Sequence, residues 1–241
     1  IIGNRERNYS ASKAAGAMIV SFSEIEESPK NDIHEKFLLE YGEKSKILWK
    51  KFLVKNKINH LLTAKDTIVF LKKNSNKVEK KNFSLVYKVS KNYNKSYLLS
   101  KENIKKLFKD TSKNIAKSFV IKDEFGICSK GLFDFFDEKI KKLKIDLIHA
   151  NAHKIETKKK SIIIKFKTKN KINTKKILIA AGINSSKLLG SKFNVLQMYQ
   201  SVGTALEVEL DGNLNHLTNK YVIRSVNRGG ANCGIHTVPR S

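Results

Sequence analysis

Two runs of small residues are the parts of this sequence whose composition and placement could serve chemistry. The first, at residues 12–18, reads SKAAGAM, and the second, at residues 180–182, follows the apolar run at 177–179. A buried strand that ends in Ala-Ala-Gly leaves no bulky side chain between its backbone and a ligand beyond it. In open α/β sheets, ligands bind beyond the carboxyl ends of the strands. The alternative is an ordinary strand-to-helix turn, in which glycine supplies backbone freedom.

The arginines are the second feature that could serve chemistry. Nearly all of the 48 basic residues are lysine, and arginine occurs only at Arg5, Arg7, Arg224, Arg228 and Arg240. A guanidinium binds carboxylates and phosphates through a planar fork that lysine cannot reproduce. All five lie within or beside the segments with motif-like composition, which favours contact with a carboxylate or phosphate. Chance placement of five residues is the alternative.

The two small-residue runs resemble the FAD-binding parts of the D-amino acid oxidase-like flavoenzymes, the family of glycine oxidase and sarcosine oxidase. In that family a Ser-x-Ala-Ala-x-Gly-Met-like loop passes under the flavin, and a later strand ends in Ala-Ala-Gly against the cofactor. This chain has the loop at 12–18 and the later strand at 178–182. It lacks the family's G-x-G-x-x-G, and Gly3 with Asn4 stands where an acidic residue is expected. We therefore expect a piece of a longer reading frame, without the glycine motif and the C-terminal part.

The resemblance implies an α/β fold in which a Rossmann-like FAD-binding domain is interleaved with an α+β substrate domain on an antiparallel sheet. The FAD-binding domain would comprise residues 1–62 and 118–192, and the substrate domain residues 63–117 and 193–241. The implied reaction is oxidation of a small-molecule amine or amino acid, whose α-hydrogen passes to the flavin as hydride. The identity of the amine, the electron acceptor and the oligomeric state stay open.

The resemblance also implies which residues form the site. The segment at 234–240 resembles a Tyr-Ile-Val-Pro-Arg strand whose tyrosine faces the substrate, and His236 stands in that place as the candidate catalytic residue. Arg240 and Gln200 are the expected substrate-binding residues. The expected FAD contacts are Ser12, Ala14, Ala15, Gly16, Ala17, Met18, Ala152, Ala180, Ala181 and Gly182. An ordinary half-exposed strand histidine is the alternative for His236. No metal site is expected, because the six histidines are scattered.

Hydrophobic periodicity predicts the elements that must position these residues. Apolar spacing indicates an amphipathic helix at 31–56, with Trp49 in the core, and further helices at 102–110 and 130–143. Strands are predicted at 66–72, 83–90, 119–121, 177–182 and 221–224, with a hairpin that ends at 161–167. Residues 1–3 and 177–181 should lie in one sheet. The acidic residues at 24–27 and the segment 73–81 are expected to be solvated turns.

The formal charge of +26 also admits a nucleic-acid-binding protein, because lysines neutralise phosphates. The lysines are spread along the whole chain, however, and no RNA-recognition, helix-turn-helix or zinc-finger pattern occurs. We expect no nucleic-acid partner, but a basic binding protein and a non-catalytic FAD-fold protein remain the alternatives. No apolar run approaches the ~18 residues of a membrane span. Two cysteines without a C-x-x-C pattern favour a reducing, cytoplasmic location.

Overall fold

The computed structural model describes residues 1–3, 11–15, 17–26, 32–159, 161–167, 170–190, 205–209, 220–227 and 234–239. In chain order, the elements are α1 (Ala11–Ala14), β1 (Met18–Ile19), α2 (Asp32–Lys55), β2 (Leu62–Ala64), β3 (Asp66–Lys72), α3 (Lys77–Asn92), β4 (Ser96–Leu98), α4 (Lys101–Phe108), β5 (Ile115–Ile121), β6 (Phe125–Ile127), α5 (Ser129–Lys142), β7 (Ala152–Thr157), β8 (Ile162–Phe166), β9 (Lys171–Thr174), α6 (Ser185–Leu189), β10 (Tyr221–Ser225) and β11 (His236–Thr237).

Contacts divide the chain into two compact units. The smaller unit consists of Ile1–Ser10 and Phe136–Thr204, and the larger unit of Ala11–Phe135 and Ala205–Ser241. This division groups residues by packing, whereas the boundaries given above group them by the ligand that each domain would bind. Those domain boundaries stay a prediction.

The larger unit is built on a five-stranded mixed sheet with the order β11-β10-β3-β5-β4. Strands β10 and β3 run parallel, and the other neighbouring pairs are antiparallel. Alternate residues of a strand face opposite sides of the sheet. Val69 and Leu71 accordingly pack with Phe83 of α3 on one face, while Ile68 packs with Ile104 and Phe108 of α4 on the other. The mixed α/β class predicted from the sequence is confirmed.

A second, three-stranded antiparallel sheet in the larger unit holds the chain that follows residues 12–18. Its order is β1-β6-β2, with Met18 opposite Gly126. A Cβ atom on Gly126 would lie 2.7 Å from Thr63 Oγ1, so the close approach of these strands requires glycine at this position. Trp49 and Phe52 of α2 pack against the core beside this sheet, which confirms the core role predicted for Trp49.

Residues 83–90 form part of a helix, and the prediction of a strand there is wrong. Helix α3 begins after Asn76, whose side chain accepts a hydrogen bond from the Glu79 backbone N–H, while Glu79 accepts one from the Asn76 backbone N–H. Such a capping box stabilises the first helical turn. The buried residues of this helix are Asn82, Phe83, Val86 and Ser90, at helical rather than alternating spacing. The predicted solvated turn at 73–81 is therefore too long, because the helix begins at Lys77.

The smaller unit contains the antiparallel meander β7-β8-β9, which confirms the predicted hairpin. Ile2 forms an isolated parallel bridge with Ile148. The predicted sheet of residues 1–3 with 177–181 is wrong, because residues 176–181 form no strand. A strand needs a hydrogen-bonding neighbour, and no strand of the described residues pairs with this segment. Leu178 is accordingly 92% exposed.

Candidate functional site

The loop at residues 12–18 brings small side chains to the surface of the larger unit. Ser12 and Ala15 are exposed, Ala14 is the last residue of α1, and Gly16 lies outside the described residues. Ala17 has a positive φ of 50°, and its carbonyl accepts a hydrogen bond from the Ile127 N–H at 3.0 Å. The sheet contact thus fixes the end of the loop at Met18, while Ser12 and Ala15 remain exposed.

A buried polar cluster holds the segment that follows this loop. The side chain of Glu124, which is fully buried, accepts hydrogen bonds through Oε1 from the backbone N–H groups of Ser21 and Ser23, at 2.9 and 3.1 Å. Glu124 precedes β6, and Thr67 Oγ1 donates to its carbonyl at 3.1 Å. The Ser21 hydroxyl donates to Glu43 of α2. One glutamate therefore fixes the backbone of the turn at Phe22–Glu24.

Arg224 of β10 connects the same turn to the five-stranded sheet. Its Nη1 donates to Ser23 Oγ at 3.1 Å and to Glu24 Oε1 at 2.5 Å, and its Nη2 donates to Asn227 Oδ1 at 2.9 Å. The Arg224 side chain is 2% exposed, whereas that of Glu24 is 47% exposed. Arg224 thus contacts a carboxylate of the chain itself. A functional contact of the arginines with a bound carboxylate or phosphate stays a prediction. Glu24 lies in a turn and is exposed, as predicted, but its carboxylate is also the anionic partner that a buried guanidinium requires.

The ion pair controls the ionisation of Glu24. Partial burial pushes the pKa of the Glu24 carboxyl upward, but the charge and hydrogen bond of Arg224 act in the opposite direction. The Asn227 amide and the charge of His236 add to the lowering, and the net result is a pKa below the usual value. The side chain is therefore a carboxylate at neutral pH.

His236 lies beside this cluster. It is exposed and stands opposite Arg224 in the antiparallel β10–β11 pair. The Asn227 side chain accepts from the Gly234 N–H at 3.3 Å, and Ser225 Oγ accepts from the Ile235 N–H at 3.0 Å. These bonds fix the strand that carries His236, so the exposed side chains of His236 and Glu24 both lie next to the buried Arg224 in the larger unit.

The remaining predicted site residues are placed as follows. Ala152 begins β7 in the smaller unit, opposite Phe166. Ala180, Ala181 and Gly182 lie in the same unit outside any strand; Gly182 has a φ of +54° and nothing within 4 Å of an added Cβ. Gln200 and Arg240 lie outside the described residues. The roles assigned to all of these residues stay predictions.

Glu24 and Glu124 were missed as site residues by reasoning from the sequence. An arginine in the middle of the apolar strand YVIRS indicates a buried guanidinium, and hence a carboxylate partner elsewhere. That pattern could have predicted a partner for Arg224, but not which of the acidic residues it is. Glu124 follows a strand with no pattern around it that points to Ser21 or Ser23.

No family model and no curated protein matches this sequence. Solved structures do match. Glycine oxidase from Geobacillus kaustophilus has a TM-score of 0.60 at 16% identity, and the match covers 75% of this chain and 47% of the glycine oxidase chain. Glycine oxidase from Bacillus cereus has a TM-score of 0.56 at 16% identity and the same coverage. This chain shares its fold with part of glycine oxidase. L-amino acid deaminase from Proteus vulgaris matches with a TM-score of 0.52 at 15% identity, over 72% of this chain and 39% of that one.

These likenesses show the fold alone, because the identities are so low. The chain spans less than half of the length of each of these three structures. They agree with the fold that the resemblance in the sequence implies. No helix among the described residues is long and apolar enough to cross a bilayer.

Proposed function

We propose that this chain is part of an FAD-dependent oxidoreductase that oxidises an amine or amino acid. The observation that carries the proposal is the fold shared with glycine oxidase at a TM-score of 0.60. The loop at residues 12–18, named from the sequence, supports it independently of the fold. The Rossmann-like arrangement, the domain boundaries and the cytoplasmic location are parts of the same proposal.

The residues of the loop fit a flat cofactor. Ala15 is exposed and Ala17 is held with a positive φ, so small side chains leave the backbone open to a ring system. When bound, FAD would supply the acceptor for a hydride from the carbon next to the substrate nitrogen. In the larger unit, Ala14, Ala15 and Ala17 would contact it through backbone atoms. Ala152 and residues 180–182 remain the predicted contacts of the smaller unit.

The chain's own contribution to the reaction would be to place the substrate and to hold its charge. Glu124 and β6 fix the turn that follows the loop, which limits movement of residues 17–24. His236 would face the substrate from β11, and Gln200 and Arg240 would contribute contacts to it. A fixed backbone next to the cofactor is what keeps a reacting carbon within reach of its acceptor.

The experiment is a flavin spectrum of the protein purified from its own reading frame, followed by anaerobic addition of amino acids and amines. We expect absorption bands of bound flavin that bleach with at least one amine. Bound flavin that no amine bleaches would favour the non-catalytic FAD-fold alternative. A protein that retains no flavin, and takes up none on titration, would contradict the proposal.

His236→Ala tests the assigned role of the histidine in the same protein. If His236 faces the substrate, the variant should keep its flavin content and lose kcat/KM. A loss of flavin would instead make the residue structural, and an unchanged kcat/KM would remove it from the site.

A further inference from the structure

We propose that Glu24 binds the ammonium group of the amine substrate, and that Arg224 and Asn227 hold its carboxylate for this purpose. The inference rests on the proposed function for the identity of the ligand as a substrate. Its physical content, a site for a primary ammonium ion at Glu24, can be tested without any flavin chemistry.

Hydrogen bonds within the protein occupy only part of the acceptor capacity of the Glu24 carboxylate. Oε1 accepts from Arg224 Nη1 at 2.5 Å, whereas Oε2 receives only a long hydrogen bond of 3.4 Å from Asn227 Nδ2 among the described residues. A carboxylate has about four acceptor positions. With 47% of its side chain exposed, Glu24 has both the acceptor capacity and the access that an N–H donor requires.

The Glu24 carboxylate is also held in place by Arg224. Arg224 is itself held by Ser23, Asn227 and the Ser225 carbonyl, so the guanidinium cannot follow Glu24 into solvent. A surface carboxylate normally loses side-chain entropy when it forms an ion pair, which leaves little net attraction. Glu24 has already been ordered by its buried partner, so less entropy is lost when a ligand binds.

Glu24 also lies close in the chain to the loop at residues 12–18 and near His236. Glu24 follows the loop at residues 12–18 within the same chain segment, and the charge of His236 acts on it from β11. The loop is where the flavin is proposed to lie, and His236 is the proposed substrate-facing residue. In a chain with a formal charge of +26, a cationic substrate is repelled from most of the surface. An ionised carboxylate at this place would therefore orient the substrate nitrogen.

The test is a titration of the flavin-free, ¹⁵N-labelled protein with methylammonium chloride, followed through backbone amide resonances. Tetramethylammonium chloride at equal ionic strength is the control ligand, because it has the same charge and no N–H donor. We expect saturable shifts at Ser23 and Asn227 with methylammonium and only weak, linear shifts with tetramethylammonium.

The deciding variant is Glu24→Gln, which keeps an acceptor for Arg224 but removes the negative charge. We expect it to weaken methylammonium binding at least about tenfold, the factor that corresponds to 1.4 kcal/mol. Glu156→Gln is the matched control, because Glu156 is also an ion-paired carboxylate, with Lys154 and Lys165 as its partners on the surface of the smaller unit. It should bind methylammonium as the unaltered protein does.

Loss of the charge next to a buried arginine can unfold the protein, so a second variant is needed. Glu24→Gln combined with Arg224→Gln removes both charges, and the two amides can still form a hydrogen bond. This double variant should also fail to bind methylammonium. Retained affinity in a folded Glu24→Gln or double variant, equal binding of tetramethylammonium, or no shifts at Ser23 and Asn227 would overturn the inference. If the amides of Ser23 and Asn227 shift as expected but the protein binds no flavin, the ammonium site at Glu24 is supported and the proposed oxidation is contradicted.

Discussion

Removal of the Glu124 side chain should show how much stability one buried acceptor contributes. Oε1 of Glu124 is the partner of the Ser21 and Ser23 backbone N–H groups, and all three residues are buried. A buried donor left without its acceptor costs about 1–3 kcal/mol. With two such donors, Glu124→Ala should lower the free energy of unfolding by about 2–6 kcal/mol, which is a large part of the stability of a domain.

Glu124→Gln separates this effect from a change of volume. Glutamine keeps an acceptor oxygen where Oε1 lies, and the other carboxyl oxygen has no hydrogen-bond partner among the described residues. We expect Glu124→Gln to lower the free energy of unfolding by at least about 1 kcal/mol less than Glu124→Ala does. The Thr67 hydrogen bond goes to the Glu124 backbone carbonyl and should be unaffected by either change.

The assay is urea unfolding followed by circular dichroism at constant pH, with the slope compared between variants to check that unfolding stays two-state. Glu156→Ala is the control, because the ion pairs of Glu156 lie at the surface, where such pairs contribute little to stability. Amide hydrogen exchange at Ser21 and Ser23 should accelerate in the alanine variant. Equal losses for the alanine and glutamine variants, or unchanged exchange at these two amides, would refute the argument that Glu124 stabilises the turn by accepting both hydrogen bonds.

Two further predictions concern the larger unit. Hydrogen bonds from Lys50 and Lys95, together with their charges, lower the pKa of Asp123 to about 2 against partial burial. Because this pKa lies below that of Asp in the unfolded chain, the stabilisation is present above about pH 4 and is lost as the pH falls towards 2. After allowance for solvent screening, the stabilisation is about 1 kcal/mol. Asp123→Asn should remove this part of the acid dependence when urea unfolding is measured at a series of pH values. Gly234→Ala would place a Cβ 2.6 Å from the Ser225 carbonyl oxygen. Thermal unfolding should therefore show a loss of about 1–3 kcal/mol in the free energy of unfolding. An unchanged stability would contradict the packing at this strand.

The elements that the sequence determined are those with a strong local pattern. Helix α2, with the bounds Asp32–Lys55, follows from apolar residues at helical spacing, and strand β3 at Asp66–Lys72 has the bounds that its composition predicts. The hairpin of β7 and β8 follows from alternation. In each case the information lies in the residues of the element itself. In α2 the spacing predicted the helix but not its buried face, because Phe37, Leu38 and Tyr41 are about half exposed.

A local pattern can also favour the wrong element. In α3, Phe83, Leu85, Tyr87 and Val89 alternate as a strand does, yet the buried side chains follow the helical period. Asn76 and Glu79 decided the outcome, because their capping box fixes the first turn and the helix then continues through the ambiguous run. This information was present in the sequence, at a spacing that the alternation concealed.

Only the tertiary structure decided the rest, because the deciding partners are far apart in the chain. Residues 177–181 have the composition of a strand, but strand formation requires a paired neighbour, which no local pattern supplies. Arg224 and Glu24 are 200 residues apart, and Glu124 is 103 residues from Ser21. The sequence identified the small-residue loop and the arginine by their residue types. The packing of two sheets and α2 determined which carboxylates contact Arg224 and the turn that follows the loop, because burial of a polar group fixes its partner only after the fold has formed.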